Sequence, residues 1–194
     1  MASEFRVSVI IPVYNAAHYV AQAVDSALLQ PDTQEVILVE DNSPDDSLAV
    51  CQGLANKYPN VWLYQHPQGQ NRGAGPTRNL GIENSTAPFI SFLDADDFYL
   101  PDRFARVKEI FKTNPSCDGV YEAVGIHFED SSAEQRWLAS DMAQVHLTTL
   151  DEQLPADALF RVLMKGGKGH IHLNGLVIKR TILEKSGLMN DAIA

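Results

Sequence analysis

The sequence predicts an α/β domain, a mainly parallel sheet with helices on both faces. Three observations carry this. Short β-branched runs at 7–15, 35–43 and 89–93 alternate with longer segments of helical period. The runs are apolar almost throughout, as in strands buried on both faces. Two of them end abruptly in carboxylates, at the strand ends where open α/β sheets place their ligands.

Taken in order, residues 7–15 open as a buried strand. Pro12 is expected to end its regular pairing, because proline has no N–H to donate. Residues 16–30 read as a helix with Val20, Ala23, Val24, Ala27 and Leu28 on one face, closed by Pro31. No Gly-x-Gly-x-x-Gly follows the first strand, which argues against an ordinary dinucleotide-binding domain. Residues 35–43 form the second strand, 45–57 a helix with Asp and Ser at its start, and 61–64 a short third strand. Residues 69–75 are a polar, Gly-rich loop, and the helix after it carries Arg78-Asn79-Leu80-Gly81. Residues 89–93 are the central strand. Residues 101–113 form an amphipathic helix with Phe104, Val107 and Phe111 inward, and 119–128 a strand. The pattern loosens over 129–154 into a loop or short helices. Residues 156–164 read as helical, 166–169 as a flexible basic loop, 171–178 as a strand and 179–185 as a short helix.

The bulk properties narrow the functional classes. The 194 residues suffice for one domain with a sizeable core, and a hydrophobic share of 45% marks a globular chain. A formal net charge of −10 repels nucleic acid and anionic membrane as main partners. It does not exclude a phosphate-bearing small molecule, because a metal can bridge acid to phosphate. Cys51 and Cys117 are the only cysteines, too few for a disulfide framework, and read as buried, reduced thiols of a cytoplasmic protein. No apolar run approaches the ~20 residues of a transmembrane segment, and residues 1–6 lack the apolar core of a signal peptide. Peripheral attachment at the inner membrane face is left open.

Asp94, Asp96 and Asp97 follow the central strand so closely that they repel one another. A hard divalent cation with phosphate oxygens would offset that repulsion. The plainer alternative is an acidic turn, with Asp97 or Asp102 capping the helix near Pro101.

Four features, 7–15, 39–43, 71–81 and the acids followed by Tyr99-Leu100-Pro101-Asp102-Arg103, resemble in order and spacing the family 2 glycosyltransferases of GT-A fold. The resemblance runs from about residue 7 to the last residue. It implies sugar transfer with inversion from a nucleotide-diphosphate donor, UDP-linked, to a carbohydrate or other hydroxyl acceptor, with Mn²⁺ or Mg²⁺ as cofactor. Pro12, Val13 and Tyr14 resemble the strand end that holds the nucleobase, with Tyr14 stacking on the ring. Asp41 resembles the carboxylate that accepts the uracil N3–H, while Glu40 departs from the family's frequent Asp and is expected to point elsewhere. Asn71 lies in the nucleotide-binding loop, and Arg78 matches an arginine that reaches the diphosphate or the central acids. Asp94 and Ala95 would address the ribose or sugar, and Asp96 the metal, with Asp97 ligating or supporting. The family's base lies beyond a segment resembling 186–191, so the base is expected beyond Ala194. Asp191 resembles the acid of that earlier segment more than the base. The chain is therefore expected to be a piece of a longer protein. Residues 1–128 would be its nucleotide-sugar half and 129–194 the start of its acceptor half, within one domain. A homodimer is left open. His170 and His172 have a metal-compatible spacing but no nearby third ligand, and a plain packing role is preferred. Lys165 and Lys168 suit either a mobile lid over phosphates or a solvated loop. The rivals are a binding module without turnover and a nucleotidyltransferase, which would want a Gly-rich basic loop after the first strand.

Overall fold

The computed structural model describes residues 4–140, 158, 161–162 and 171–190. They fall into two compact units, one within Met1–Val120 and Val177–Ala194, the other within Tyr121–Leu176. The strands are β1 (Val7–Val13), β2 (Thr33–Glu40), β3 (Val61–Gln65), β4 (Phe89–Phe92), β5 (Gly119–Tyr121) and β6 (Leu176–Lys179). The helices are α1 (Val20–Leu28), α2 (Ser47–Lys57), α3 (Ala74–Asn84), α4 (Ala105–Thr113), α5 (Ser131–Leu138) and α6 (Arg180–Ser186). The sheet order is β3-β2-β1-β4-β6-β5. β1 pairs in parallel with β2 and β4, β2 with β3, and β6 joins β4 antiparallel. This is the expected mixed α/β architecture.

β1 is central, and its side chains serve both faces of the sheet. Val7, Val9, Ile11 and Val13 join one core cluster with Val20, Ala23, Val24 and Ala27 of α1 and with Phe104 and Val107. Ile10 faces the other way, toward α3. A Cβ at Gly81 would collide with Ile10 Cγ2, so glycine is what lets α3 lie this close to β1. Asn79, two residues earlier, is buried and exchanges two hydrogen bonds with the Met189 backbone. Its Nδ2 donates to the carbonyl and its Oδ1 accepts from the N–H, each at 2.9 Å.

Several expected boundaries move, each for a local reason. β1 pairs with β2 through Val13, so Pro12 does not end that ladder. The carbonyls of Arg6 and Ile10 accept from Phe89 and Leu93, so even-numbered residues of β1 face β4. Pairing with β4 ends at Ile10, and the missing Pro12 donor costs no ladder bond. α1 begins at Val20 rather than residue 16. Residues 17–19 form a turn in which Tyr19 N donates to Ala16 O at 3.0 Å, and the N–H groups of Ala16 and Ala17 donate to Ser47 Oγ at 2.9 Å and Asp45 Oδ2 at 3.0 Å. α4 begins at Ala105, because Asp102 has a φ of 61°, outside the helical region. Its N-cap is Phe104, so neither Asp97 nor Asp102 caps it.

β5 ends at Tyr121, well short of residue 128, and β6 begins at Leu176, after a 3₁₀ turn at Leu173–Gly175. Within the second unit, Glu122 N donates to Gly175 O at 2.9 Å, and Asp130 caps α5 by accepting from Ala133 N at 2.8 Å. His172 Nδ1 accepts from Asn174 N at 3.3 Å, capping the 3₁₀ turn. Lys165, Lys168, His170, the basic loop at 166–169 and Asp191 lie outside the described residues, as does most of 156–164. No described helix is long and apolar enough to cross a membrane.

Candidate active site

The C-terminal ends of β1, β2 and β4 frame a cleft of about 420 Å³. Pro12, Val13, Tyr14, Asp41, Asn71, Arg78, Asp94, Ala95 and Asp96 all line it, so residues 84 positions apart in sequence meet there. Asp97 is exposed beside it and closes a turn, its N–H donating to Asp94 O at 3.0 Å.

The chain leaves β1 through Asn15, whose φ of 52° is one that asparagine tolerates better than most residues. This turn leaves Tyr14 55% exposed at the cleft. The turn hangs on the connection after β2. Asn15 N donates to Ser43 Oγ at 3.1 Å, alongside the bonds that Ala16 and Ala17 make to Ser47 and Asp45. The Ser47 hydroxyl holds the Asp45 carboxyl below its ordinary value, with the Ala17 and Ser47 N–H groups adding to the effect.

β2 ends in two acids with different tasks. Glu40 is 1% exposed and does not line the cleft. Its oxygens accept from Ser43 N at 2.6 Å and Gln65 Nε2 at 2.8 Å, so it braces the connection. Asp41 is also buried, but it faces the cleft. Its Oδ1 accepts from Arg72 N at 2.7 Å, its Oδ2 from Gly73 N at 2.9 Å, and its carbonyl from Asn71 Nδ2 at 2.9 Å. The Gly-rich loop is thereby folded onto one carboxylate. Gly73 takes a φ of 84°, which an L side chain rarely adopts. A carboxylate has about four acceptor positions, so Asp41 retains capacity toward the cleft.

Arg78 of α3 crosses to the end of β4, its Nη2 2.6 Å from Asp94 Oδ1. Among the described residues its buried Nε has no protein acceptor. Leaving a buried donor unsatisfied costs on the order of 1–3 kcal/mol, so this arginine is poised for an acceptor from outside. Asp96 is exposed. No group of three or more His, Cys, Asp or Glu that could hold a metal occurs among the described residues. The donor set instead fits a cation held by one or two carboxylates and completed by substrate phosphates, the usual manner of Mg²⁺.

Tyr19, Thr77, Ala16 and Gly73 also line the cleft and were not marked by the sequence. Tyr19 lay inside an apparent helix, and its 42% exposure follows from the later start of α1. Thr77 sits one position before Arg78, and only the helical phase could have placed it. Cys51 is buried as expected. Burial, with smaller contributions from Glu40 and Asp45, pushes its thiol up to about 12, which makes it unreactive. Cys117 is only partly buried, contrary to expectation, and its Sγ lies 3.1 Å from Gly119 O.

A model of glycosyl transferase family 2 matches residues 8–174. Over 149 residues the chain is 37% identical to the minor teichoic acid biosynthesis protein GgaB of Bacillus subtilis, covering 75% of this chain and 16% of that protein. Among solved structures, S. aureus TarS 1-349 in complex with UDP aligns with a TM-score of 0.65 at 18% identity, over 97% of this chain and 51% of TarS 1-349. The mannosyltransferase PcManGT from Pyrobaculum calidifontis, in complex with GDP-Man and Mn²⁺, aligns with a TM-score of 0.66 at 21% identity, over 96% of this chain and 48% of that one. At these identities the structural likeness speaks for the fold, which is of GT-A type. The chain spans about half or less of the length of the first curated relatives it matches.

Proposed function

The chain belongs to glycosyl transferase family 2, and on that premise we propose that its cleft binds a UDP-linked sugar and serves transfer of that sugar, with inversion, to an acceptor hydroxyl. The observation that carries this reading is the meeting of an exposed ring, a buried carboxylate, an arginine with an unspent buried donor and an exposed carboxylate in one cleft. Tyr14 stacks on the base, a contact worth roughly 1–3 kcal/mol. Asp41 accepts the imide N–H. Arg78 orients Asp94 toward the ribose or sugar and offers Nε to a phosphate oxygen. Asp96 is the carboxylate that holds Mn²⁺ or Mg²⁺ together with the diphosphate, and Asp97 supports it. When bound, such a cation offsets charge growing on the leaving diphosphate. Asp41 and Arg78 fix the donor, and in the inverting reaction that the family resemblance implies the acceptor hydroxyl attacks the anomeric carbon from the face opposite the diphosphate, which leaves. A base must take the hydroxyl proton, and no described residue is assigned to that role. The relative acting in teichoic acid biosynthesis makes cell-wall or polysaccharide assembly the natural setting.

A thermal-shift screen of UDP, UDP-sugars and GDP-mannose, each with Mn²⁺ or with EDTA, tests this reading. UDP with Mn²⁺ should stabilise the chain by about 2.7 kcal/mol at a hundredfold excess over Kd. EDTA should remove the gain. Equal stabilisation in EDTA would refute the metal role, and stabilisation by GDP-mannose alone would refute the choice of base.

A further inference from the structure

His66 has no place in the roles above, yet it packs against two residues that line the cleft, Asp41 and Thr77. It follows β3 directly and is 6% exposed. Its Nε2 is 3.1 Å from Thr77 Oγ1 and 3.7 Å from Asp41 Oδ1. The Thr77 hydroxyl donates its one proton to Gly73 O at 2.7 Å. Thr77 therefore can only accept from His66, which assigns the Nε2–H form of the imidazole. Gly73 N in turn donates to Asp41 Oδ2. The four residues make a chain of hydrogen bonds, Asp41 to Gly73 to Thr77 to His66, and the imidazole closes it into a ring only by packing 3.7 Å from Asp41 Oδ1. Its members come from the end of β2, the Gly-rich loop, α3 and the end of β3. Oδ1 accepts from Arg72 N with the imidazole edge packed beside it, and Oδ2 accepts from Gly73 N. Asp41 can then turn neither way without losing one of them.

We propose that His66 is a positioning residue that sets which nucleobase the cleft accepts, by holding Asp41 with its free acceptor positions toward the base. The inference rests on the reading that Asp41 receives a base N–H. Uracil offers an imide N–H at that edge, whereas cytosine offers a lone pair and is repelled by a carboxylate. A site built around a hydrogen bond rejects an analogue that lacks the matching group, but only while the acceptor stays in place. Without the imidazole, Thr77 loses its donor and Asp41 its packed neighbour, so the segment that supplies Arg72 N and Gly73 N is held less firmly, and the carboxylate with it.

The test measures Kd for UDP and CDP, with Mn²⁺ present, on the full chain carrying the natural residue, His66→Ala, His66→Gln or Asp41→Asn. His66→Ala should lose about tenfold in the CDP-to-UDP ratio, the scale of one hydrogen bond. His66→Gln, whose amide N–H can still reach Thr77, should retain the ratio. If both affinities fall together in His66→Ala while the ratio stays put, His66 is merely structural and the inference is overturned. Should His66→Ala fail to fold, Thr77→Val breaks the same ring, and an unchanged ratio there overturns the inference equally. Asp41→Asn separates the two levels. If it keeps the preference for UDP, the base is read elsewhere and the underlying reading fails. If it loses the preference while His66→Ala keeps it, only the role of His66 fails.

Discussion

The two ends of the parallel sheet carry similar polar residues and use them in opposite ways. At the N-terminal end, Glu35 is buried, and one of its oxygens accepts from Ser8 Oγ at 2.7 Å, Thr86 N at 2.6 Å and Thr86 Oγ1 at 2.9 Å. Ser8 Oγ in turn accepts from Ala87 N at 3.0 Å. Arg180 donates to Ala87 O, Ile82 O and Ser85 Oγ. Every one of these groups finds its partner within the protein. At the C-terminal end the same inventory of acid, arginine and hydroxyl is left partly unspent. Asp96 is exposed, Tyr14 shows 55% of its surface, and Arg78 Nε is buried without a protein acceptor. Buried polar groups are ordinarily satisfied, so the end that leaves one unsatisfied is the end built for something else to bind.

This contrast can be broken by mutation. Glu35→Ala should show the largest effect, a stability loss of about 3 kcal/mol, because it strands the buried Ser8 hydroxyl, removes the acceptor that ties Thr86 to β2 and leaves a cavity. Denaturant titration of the ligand-free chain measures it. Asp96→Asn should leave that titration unchanged and abolish the ~2.7 kcal/mol gained from UDP and Mn²⁺ at a hundredfold excess over Kd. Asp41→Asn sharpens the comparison, because Asp41 belongs to both categories. An amide has one acceptor oxygen for two backbone N–H donors, so the ligand-free chain should lose about 1–2 kcal/mol and UDP binding should weaken as well. Paired titrations with and without UDP would separate the two losses.

The smallest effect concerns pH. Asp45 is held below the ordinary carboxyl value of 3.8 chiefly by the Ser47 hydroxyl, so the unfolded chain binds the proton more readily. Its contribution is therefore complete above 3.8 and lost as pH falls through the lower folded value. Ser47→Ala should flatten that acid-side loss, measured by denaturant titration over the acid range. An identical acid-side slope in the variant would show that the Ser47 contact does not govern Asp45.

Much of the open end was legible in the residues, because buried parallel strands are nearly continuous apolar runs and their ends are marked by the first acids. The placement of Asp41, Asp94 and Asp96 at strand ends required only that. What the sequence hid was long-range. The apolar face of the first helix begins only at Val20, and residues 17–19 form a turn, with the N–H groups of Ala16 and Ala17 held by Ser47 and Asp45, about thirty residues away. Residues 122–128 have strand-like composition yet lie beyond the end of β5, since pairing depends on a partner that composition does not reveal. His66 carries no motif, and its place beside Asp41 follows from the spatial neighbours β2 and β3 alone.

The most direct test places the two ends side by side by measuring the UDP- and Mn²⁺-induced rise in melting temperature in Glu35→Ala and Asp96→Asn. The account predicts a lowered baseline with a full rise for Glu35→Ala, and an unchanged baseline with no rise for Asp96→Asn. A full rise in Asp96→Asn, or its loss in a folded Glu35→Ala chain, would contradict the assignment of the open end as the donor site.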